Sequence, residues 1–457
     1  MNRNFSSKSG VFRLMLLIVL AVSAGLFPIA AGAQTVPAPK EEKLLNGLKL
    51  LVWSDRQSDK VTVKVRVKSG SAFDPKDKMG TMRLLADIMF PGELARQYFE
   101  EDLEGSLEVV CNYDYIQIKA TGKASELLNI LDTLRVALVN TPITQDNFVK
   151  VRDARIASVK AELAEPARVA ELAAAKRLLG DYPYGRPMNG TPESLANIDR
   201  FDLATAKDRF LTADNSTLAI TGNVDQRYAY KAARQLLGNW KKSDGLIPAT
   251  FAQPRDPDQT PEIINLPEAK GKSYAGFAVR GLASNDADTP AFIFWTSGFE
   301  KSLRARMSAG CGKEISVSHW SHVLPGALLV NAVFPESEAA GCYEGLKREI
   351  AKAASEKVDA RDFGEAQVAI YGLTSGKLND LDHVSNLWLD AETFRWGTAD
   401  AQLKLLKTAA PADGDRVAAR VFGKALMASA VVGNAELLRA QLLPPVPVVV
   451  SDKVTKP

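Results

Sequence analysis

The chain has 457 residues, enough for two or more domains that each bury a core. Hydrophobic residues make up 46% and charged residues 24%, the balance of a soluble globular protein. A net charge of +3, with no basic run interleaved with aromatics, argues against nucleic acid as a partner, and three cysteines without CxxC spacing argue against a disulfide framework or a thiolate metal site.

At the N-terminus Arg3, Lys8 and Arg13 precede an apolar stretch over 14–27, then Pro28 and Ala30-Ala31-Gly32-Ala33. That order predicts a signal peptide over 1–33, cut after Ala33. A membrane anchor is the competing reading, but the stretch is short of the roughly 20 residues a spanning helix needs. The expectation is an exported protein, periplasmic if the source is Gram-negative, with no membrane association after cleavage.

Residues 35–42 are rich in Pro, Lys and Glu and predict disorder. Strands are predicted at 48–53, after the turn Asn46-Gly47, and at 61–67, where apolar and polar residues alternate as in a half-buried strand. A loop over 70–80 leads into a helix with Met82, Leu85, Ile88 and Met89 on one face. A strand pair over 107–121, helices at 124–139 and 146–179, and a strand at 217–220 ending in Thr221-Gly222-Asn223 complete a first half.

A Pro/Asp-rich stretch interrupts the pattern, which then repeats. A strand at 274–279 precedes a helix at 290–307, strands at 314–320 and 327–333, helices at 336–354 and 360–378, and a strand at 429–432 before Gly433-Asn434. The repeat predicts an internal duplication of an α+β unit. The lobes are expected at 34–247 and 263–443, with a linker over 248–262 and a tail over 444–457.

Gly70-Ser71, Asp74-Pro75, Gly80 and Phe90 frame the helix around 83–87, with Asn46-Gly47-Leu48 upstream. Further on stand Ala161-Glu162-Leu163, Tyr182-Pro183-Tyr184-Gly185-Arg186-Pro187 and Gly190-Thr191-Pro192-Glu193-Ser194-Leu195. This series resembles the insulinase/pitrilysin-type zinc peptidases, processing-peptidase-like branch, over nearly all of the chain after residue 33. The resemblance implies two tandem homologous α/β-sandwich lobes, forming half of a clam-like chamber. It also implies an inverted His-x-x-Glu-His motif whose histidines hold zinc while the Glu activates its water.

Here Arg83 stands at the first His position, Ala86 at the Glu and Asp87 at the second His. Glu162 matches the third ligand, at the implied spacing (162 − 87 = 75). A catalytic zinc needs three protein ligands and one open position. Arginine cannot lose its proton to become a ligand, and Ala86 can neither take nor give a proton. The resemblance therefore implies a chain with no catalytic residue, no metal and no cofactor. Arg83 is expected to bridge Asp87 and Glu162 in place of the ion.

The Arg and Tyr with which active relatives bind substrate backbone are replaced by Ser308 and Ile315, although Arg304 and Arg306 lie nearby. His319 and His322, three apart in a strand or its exit, point to opposite faces and argue against chelation. His383 follows Asp380 and Asp382, which read as helix caps, and a triad with Ser375 or Ser385 has no nucleophile-elbow context. Arg186, Tyr182 and Tyr184 read first as shaping a loop, with a substrate chamber as the alternative. Trp388, Phe394 and Trp396 read as packing, and Cys311 and Cys342 as free thiols by default, with pairing as the alternative.

The resemblance implies a non-catalytic subunit or scaffold beside an active insulinase-family peptidase. The alternative is a homodimeric chamber that captures extended peptides without cutting them. A peptidase with an unrecognised site is the third class.

Overall fold

The computed structural model describes residues 35–243, 245 and 251–443. The expected signal peptide over 1–33 and the tail over 444–457 lie outside them. The first half opens with β1 (Lys40–Lys43), β2 (Lys49–Ser54) and β3 (Lys60–Val67). Composition predicts disorder over 35–42, yet β1 pairs antiparallel with β2, from Lys40 opposite Val52 to Lys43 opposite Lys49. All four β1 side chains are exposed. Backbone hydrogen bonds at a sheet edge need no apolar side chain, which is why composition misses this strand.

Helix α1 (Thr81–Ile88), β4 (Ser106–Cys111), β5 (Ile116–Lys123), α2 (Leu127–Val139), α3 (Gln145–Glu162) and α4 (Pro166–Leu179) follow. The single helix predicted over 146–179 is thus two. Pro166 has no N–H to donate to the preceding turn and takes the first position of a new helix instead. Helix α5 (Arg200–Phe210), β6 (Ser216–Gly222) and α6 (Gln226–Leu237) close the half.

The second half runs β7 (Glu262–Asn265), β8 (Lys272–Arg280), α7 (Thr289–Arg306), β9 (Glu314–Trp320), β10 (Ala327–Pro335), α8 (Ala339–Ala351), α9 (Ala360–Ser375), α10 (Leu381–Thr393), α11 (Ala399–Thr408), α12 (Pro411–Phe422) and β11 (Ala428–Gly433). Strand β7 and helices α10, α11 and α12 have no counterpart among the predicted elements, nor have α5 and α6 in the first half.

The fold class is α+β, with one sheet in each half. The first sheet has the order β1-β2-β6-β3-β5-β4 and the second β7-β11-β8-β10-β9. With β1 set aside, the two orders match strand for strand. Each has one parallel pair, β2 with β6 and β7 with β11, among antiparallel neighbours. The duplication read from the matching element order is therefore a property of the topology.

One face of each sheet packs on helices of its own half. Val61, Val63 and Val65 meet Leu84, Ile130, Leu134 and Ala233 in the first core. Phe277, Val279 and Leu328 meet Trp295, Phe299, Leu346 and Val417 in the second. The opposite face of each sheet is covered by a helix of the other half: α4 lies on β8 and β11, and α10 lies on β6. The described residues from 37 onward form one compact unit. This exchange corrects the half-buried reading of 61–67, because Lys64 is 1% exposed and Arg66 2%.

Candidate functional site

The loop before α1 is organised by Asp74. Its carboxylate accepts hydrogen bonds from the backbone N–H of Gly80 at 2.6 Å and of Met82 at 2.8 Å, which ties down the first turn of α1. Full burial pushes the Asp74 carboxyl up to about 7, against the lowering pull of those two N–H groups and of Arg186. Gly80 has φ +96, a conformation that a side chain at this tight spot would strain. The acidic-Pro pair and the glycine thus fix where α1 begins, and so where positions 83, 86 and 87 point.

Ala86 faces the core, 1% exposed. Arg83 and Asp87 share the outer face of α1, with Arg83 Nη2 3.2 Å from Asp87 Oδ1. The main partner of Asp87 is a different residue. Arg155 of α3 grips both carboxylate oxygens, Nε to Oδ2 and Nη2 to Oδ1, each at 2.9 Å. Glu162, at the end of α3, accepts from Arg168 Nε at 2.8 Å and from Asn189 Nδ2 at 3.0 Å. Burial would raise the Glu162 carboxyl, but these donors outweigh it and hold it below the ordinary value. Arg168 continues to Glu171, which accepts from Asn331 Nδ2 of β10 at 3.3 Å.

The expected Arg83 bridge is therefore half right. Arg83 reaches Asp87, while Arg155 and Arg168 serve the two acids, and Arg83 Nε is buried without a hydrogen-bond partner. Three guanidinium groups face three carboxylates, so the charge closes without a cation. The donor set does not fit zinc: both carboxylates are already bonded by arginine, and no imidazole stands at the site. Sequence reasoning missed Arg155, Arg168, Glu171 and Asn189. A readable signal existed, since Arg155 and Arg168 flank Glu162 at seven and six residues.

Ser308 and Ile315 lie apart from this network. Ser308 precedes the short turn Ala309–Gly312, and its Oγ donates to Cys311 Sγ at 3.1 Å. Ile315 is buried in the second core. Arg304 donates to the Ile315 carbonyl at 2.8 Å, and Arg306 pairs with Glu349 and Glu356. All four serve the local structure.

Where the halves meet, Asp114 is 5% exposed and accepts from the Tyr184 hydroxyl at 2.7 Å. Its other oxygen lies 3.0 Å from His322 Nδ1. His319 is separate: its Nε2 accepts from the Leu282 N–H at 2.9 Å, and burial pushes its pKa down to about 4. The two histidines do not converge on one point. His383 lies in the first turn of α10 behind the Asp380 cap, with Nε2 3.1 Å from the Thr374 carbonyl. Ser385 Oγ donates to the Asp382 carbonyl, so no triad forms. Arg186 binds the carbonyls of Asp74 and Asp181 and shapes its loop, and Tyr182 and Tyr184 pack within the junction. Trp388 and Trp396 donate to the carbonyls of Pro37 and Ser284, and Phe394 stacks on Trp396. Cys311 and Cys342 are joined as a disulfide, with Cα atoms 5.2 Å apart, which corrects the free-thiol default.

Residues 197–369 match the family described as "Peptidase M16 inactive domain". A relative described as an uncharacterized zinc protease from Rickettsia felis is 22% identical over 219 residues, which cover 46% of this chain and 52% of that protein. The aligned part thus spans about half of that relative's length. Among solved structures, a peptidase M16 inactive domain from Pseudomonas fluorescens superposes with a TM-score of 0.75 at 15% identity, covering 87% of this chain and 98% of that one. The periplasmic protease PqqL from Escherichia coli gives 0.68 at 14% identity, covering 90% of this chain and 49% of that one.

Proposed function

From its similarity to the insulinase-type, M16-like peptidases, we propose that this chain is an exported, non-catalytic homologue of them, acting as a subunit or scaffold beside an active relative. The observation that carries this reading is the occupation of both remaining acids by Arg155 and Arg168. A metal would have to displace two charge-assisted pairs to gain two carboxylates and no imidazole. Ala86 offers no base for a water. The positions that catalysis would need are held by residues that serve the structure.

Two observations support the finer parts of the proposal. This chain covers about half of PqqL, in keeping with a two-lobed unit that needs a second such unit to enclose a chamber. The Cys311–Cys342 disulfide suits an oxidising compartment, as does the sequence pattern over 1–33. Among the described residues no helix is long and apolar enough to cross a membrane. A second reading, capture of extended peptides without cleavage, draws on β4, a sheet-edge strand able to pair with an added strand.

Elemental analysis of the oxidised chain, with an unfolded-peptide cleavage assay, tests the central claim. The expected result is neither stoichiometric zinc nor cleavage. Near-equimolar zinc that disappears on Glu162→Ala overturns it. Co-purification from native extract separates the subunit reading, in which an active relative accompanies the chain, from the peptide-capture reading, in which it travels as a homodimer.

A further inference from the structure

The cysteines that sequence spacing places far apart meet in the second half. Cys311 sits in the turn Ala309–Gly312, and Cys342 lies in the first turns of α8. Glu338 stands four residues before Cys342, at the N-cap of α8, on the same helical face. The two sulfurs and a Glu338 carboxylate oxygen all lie within 4.8 Å of one another. The Glu338 side chain does not cap its own helix, and among the described residues its carboxylate has no ion-pair or hydrogen-bond partner. A Cβ on Gly310 would lie 2.7 Å from Glu338 Oε2, so the absence of a side chain there is what lets the carboxylate rest above the cysteine turn. A cavity of about 570 Å³ opens over the group, with Met307, Ser308 and Arg348 in its wall.

The geometry points to a redox-gated site for a thiophilic divalent cation of the Zn²⁺ class, formed by Cys311, Cys342 and Glu338 when the disulfide is reduced. A dithiol reductant passes two electrons and two protons to the disulfide and becomes a disulfide itself, leaving both cysteines as thiols. The cation then displaces the two thiol protons to solvent and is bound by two thiolates and one carboxylate, with a fourth position open to the cavity. In the oxidised chain the sulfurs are bonded to each other and the site is closed. Two thiolates and a carboxylate bring three negative charges; Arg306 is already paired with Glu349 and Glu356, so with Arg348 alone drawing on the group the two charges that remain match a dication. The site is independent of the degenerate motif on α1.

The test uses the whole chain, reduced anaerobically with a phosphine and titrated with Co²⁺, with Zn²⁺ as displacer. The expected result is equimolar Co²⁺ with a thiolate charge-transfer absorption that Zn²⁺ abolishes, and no uptake by the oxidised chain. Cys342→Ser should lose the absorption. Glu338→Gln, a surface change that leaves the fold intact by circular dichroism, should keep both thiolates and bind markedly more weakly. Glu162→Ala should leave uptake unchanged, which separates this site from the zinc test of the motif. Uptake by the reduced parent no better than by the oxidised chain or by Cys342→Ser overturns the proposal, as does Glu338→Gln binding as tightly as the parent.

Discussion

The two helix-on-sheet contacts between the halves have the same topology and opposite chemistry. Counted back from the glycine that ends the last strand of each sheet, Ala219 pairs with Lys64 and Ala430 pairs with Gly276. By the same register Arg66 corresponds to Ala278. On the first sheet Lys64 Nζ reaches the Asp382 carbonyl at 2.6 Å, Asn386 Oδ1 at 2.9 Å and Ser385 Oγ at 3.0 Å, all on α10. Arg66 meets Asp390 at 2.5 Å and Gln117 at 2.8 Å, with its guanidinium 4.0 Å from the Tyr115 ring centroid. On the second sheet α4 lies so close that a Cβ on Gly276 would come within 2.5 Å of the Ala170 carbonyl oxygen. Ala174, Ala175, Leu178, Ala278 and Ala428 fill the rest. The duplication therefore sets which helix covers which sheet, and not how the two surfaces are satisfied. One surface desolvates ions and must pair each of them. The other depends on close approach and dispersion.

The largest effect should come from breaking the charged contact on one side only. Asp390→Ala leaves the Arg66 guanidinium buried with Gln117 and Thr393 as its remaining polar partners. An uncompensated buried charge of this kind costs about 3–5 kcal/mol. Urea unfolding of the chain measures it. A loss below about 1 kcal/mol would mean that α10 is held by its apolar contacts instead, and that the two interfaces differ less than their residues suggest.

On the second sheet the corresponding break is an addition. Gly276→Ala inserts one methyl against a backbone carbonyl, which cannot rotate away as a side-chain tip can. Overpacking of this sort costs about 1–3 kcal/mol and should push α4 off the sheet. Because Glu162 and Arg168 flank the start of α4, the same change should also disturb the acid–arginine network. Hydrogen exchange at α4 and at the end of α3 reads both effects. Destabilisation without faster exchange there would place the strain elsewhere.

How much of this was legible in the chain depends on the range of the interaction. The succession of strands and helices in each half follows from local patterns, apart from β1 and β7, and Arg83, Ala86 and Asp87 stand out only through the resemblance that marks their positions. The break before Pro166 was readable from proline's missing N–H, and the long periodic run hid it. The burial of Lys64 and Arg66 was not readable. An alternating strand looks the same whether water or a distant helix covers its polar face, and the partners lie more than 300 residues away. Arg155 and Arg168 fall between these cases: their spacing from Glu162 is visible, but only the fold shows that α1 brings Asp87 to one of them. The Cys311–Cys342–Glu338 group depends on the pairing of a turn with a helix start, which no spacing rule conveys.

The smallest expected effect is a pH dependence that belongs to one contact and not the other. Burial pushes the Lys64 ammonium down to about 8, and attraction to Asp382 only partly offsets it. In the unfolded chain the same group titrates near 10.5. Between these values the unfolded state binds more protons than the folded state, so this lysine makes stability rise as pH rises from about 8 to 10.5. Below about 8 both states carry the charge and its contribution is flat. The slope cannot exceed about 1.4 kcal/mol per pH unit. Lys64→Met keeps most of the buried stem and removes the ammonium, so the gap between parent and variant should change across this window in the parent's favour. Gly276, at the equivalent position of the other sheet, carries nothing to titrate, and Gly276→Ala should follow the parent's pH profile at a constant offset. A parent–Lys64→Met gap that stays constant from pH 7 to 10.5 would show that Lys64 keeps its ordinary affinity for the proton, and that the charged contact is better solvated than its burial implies.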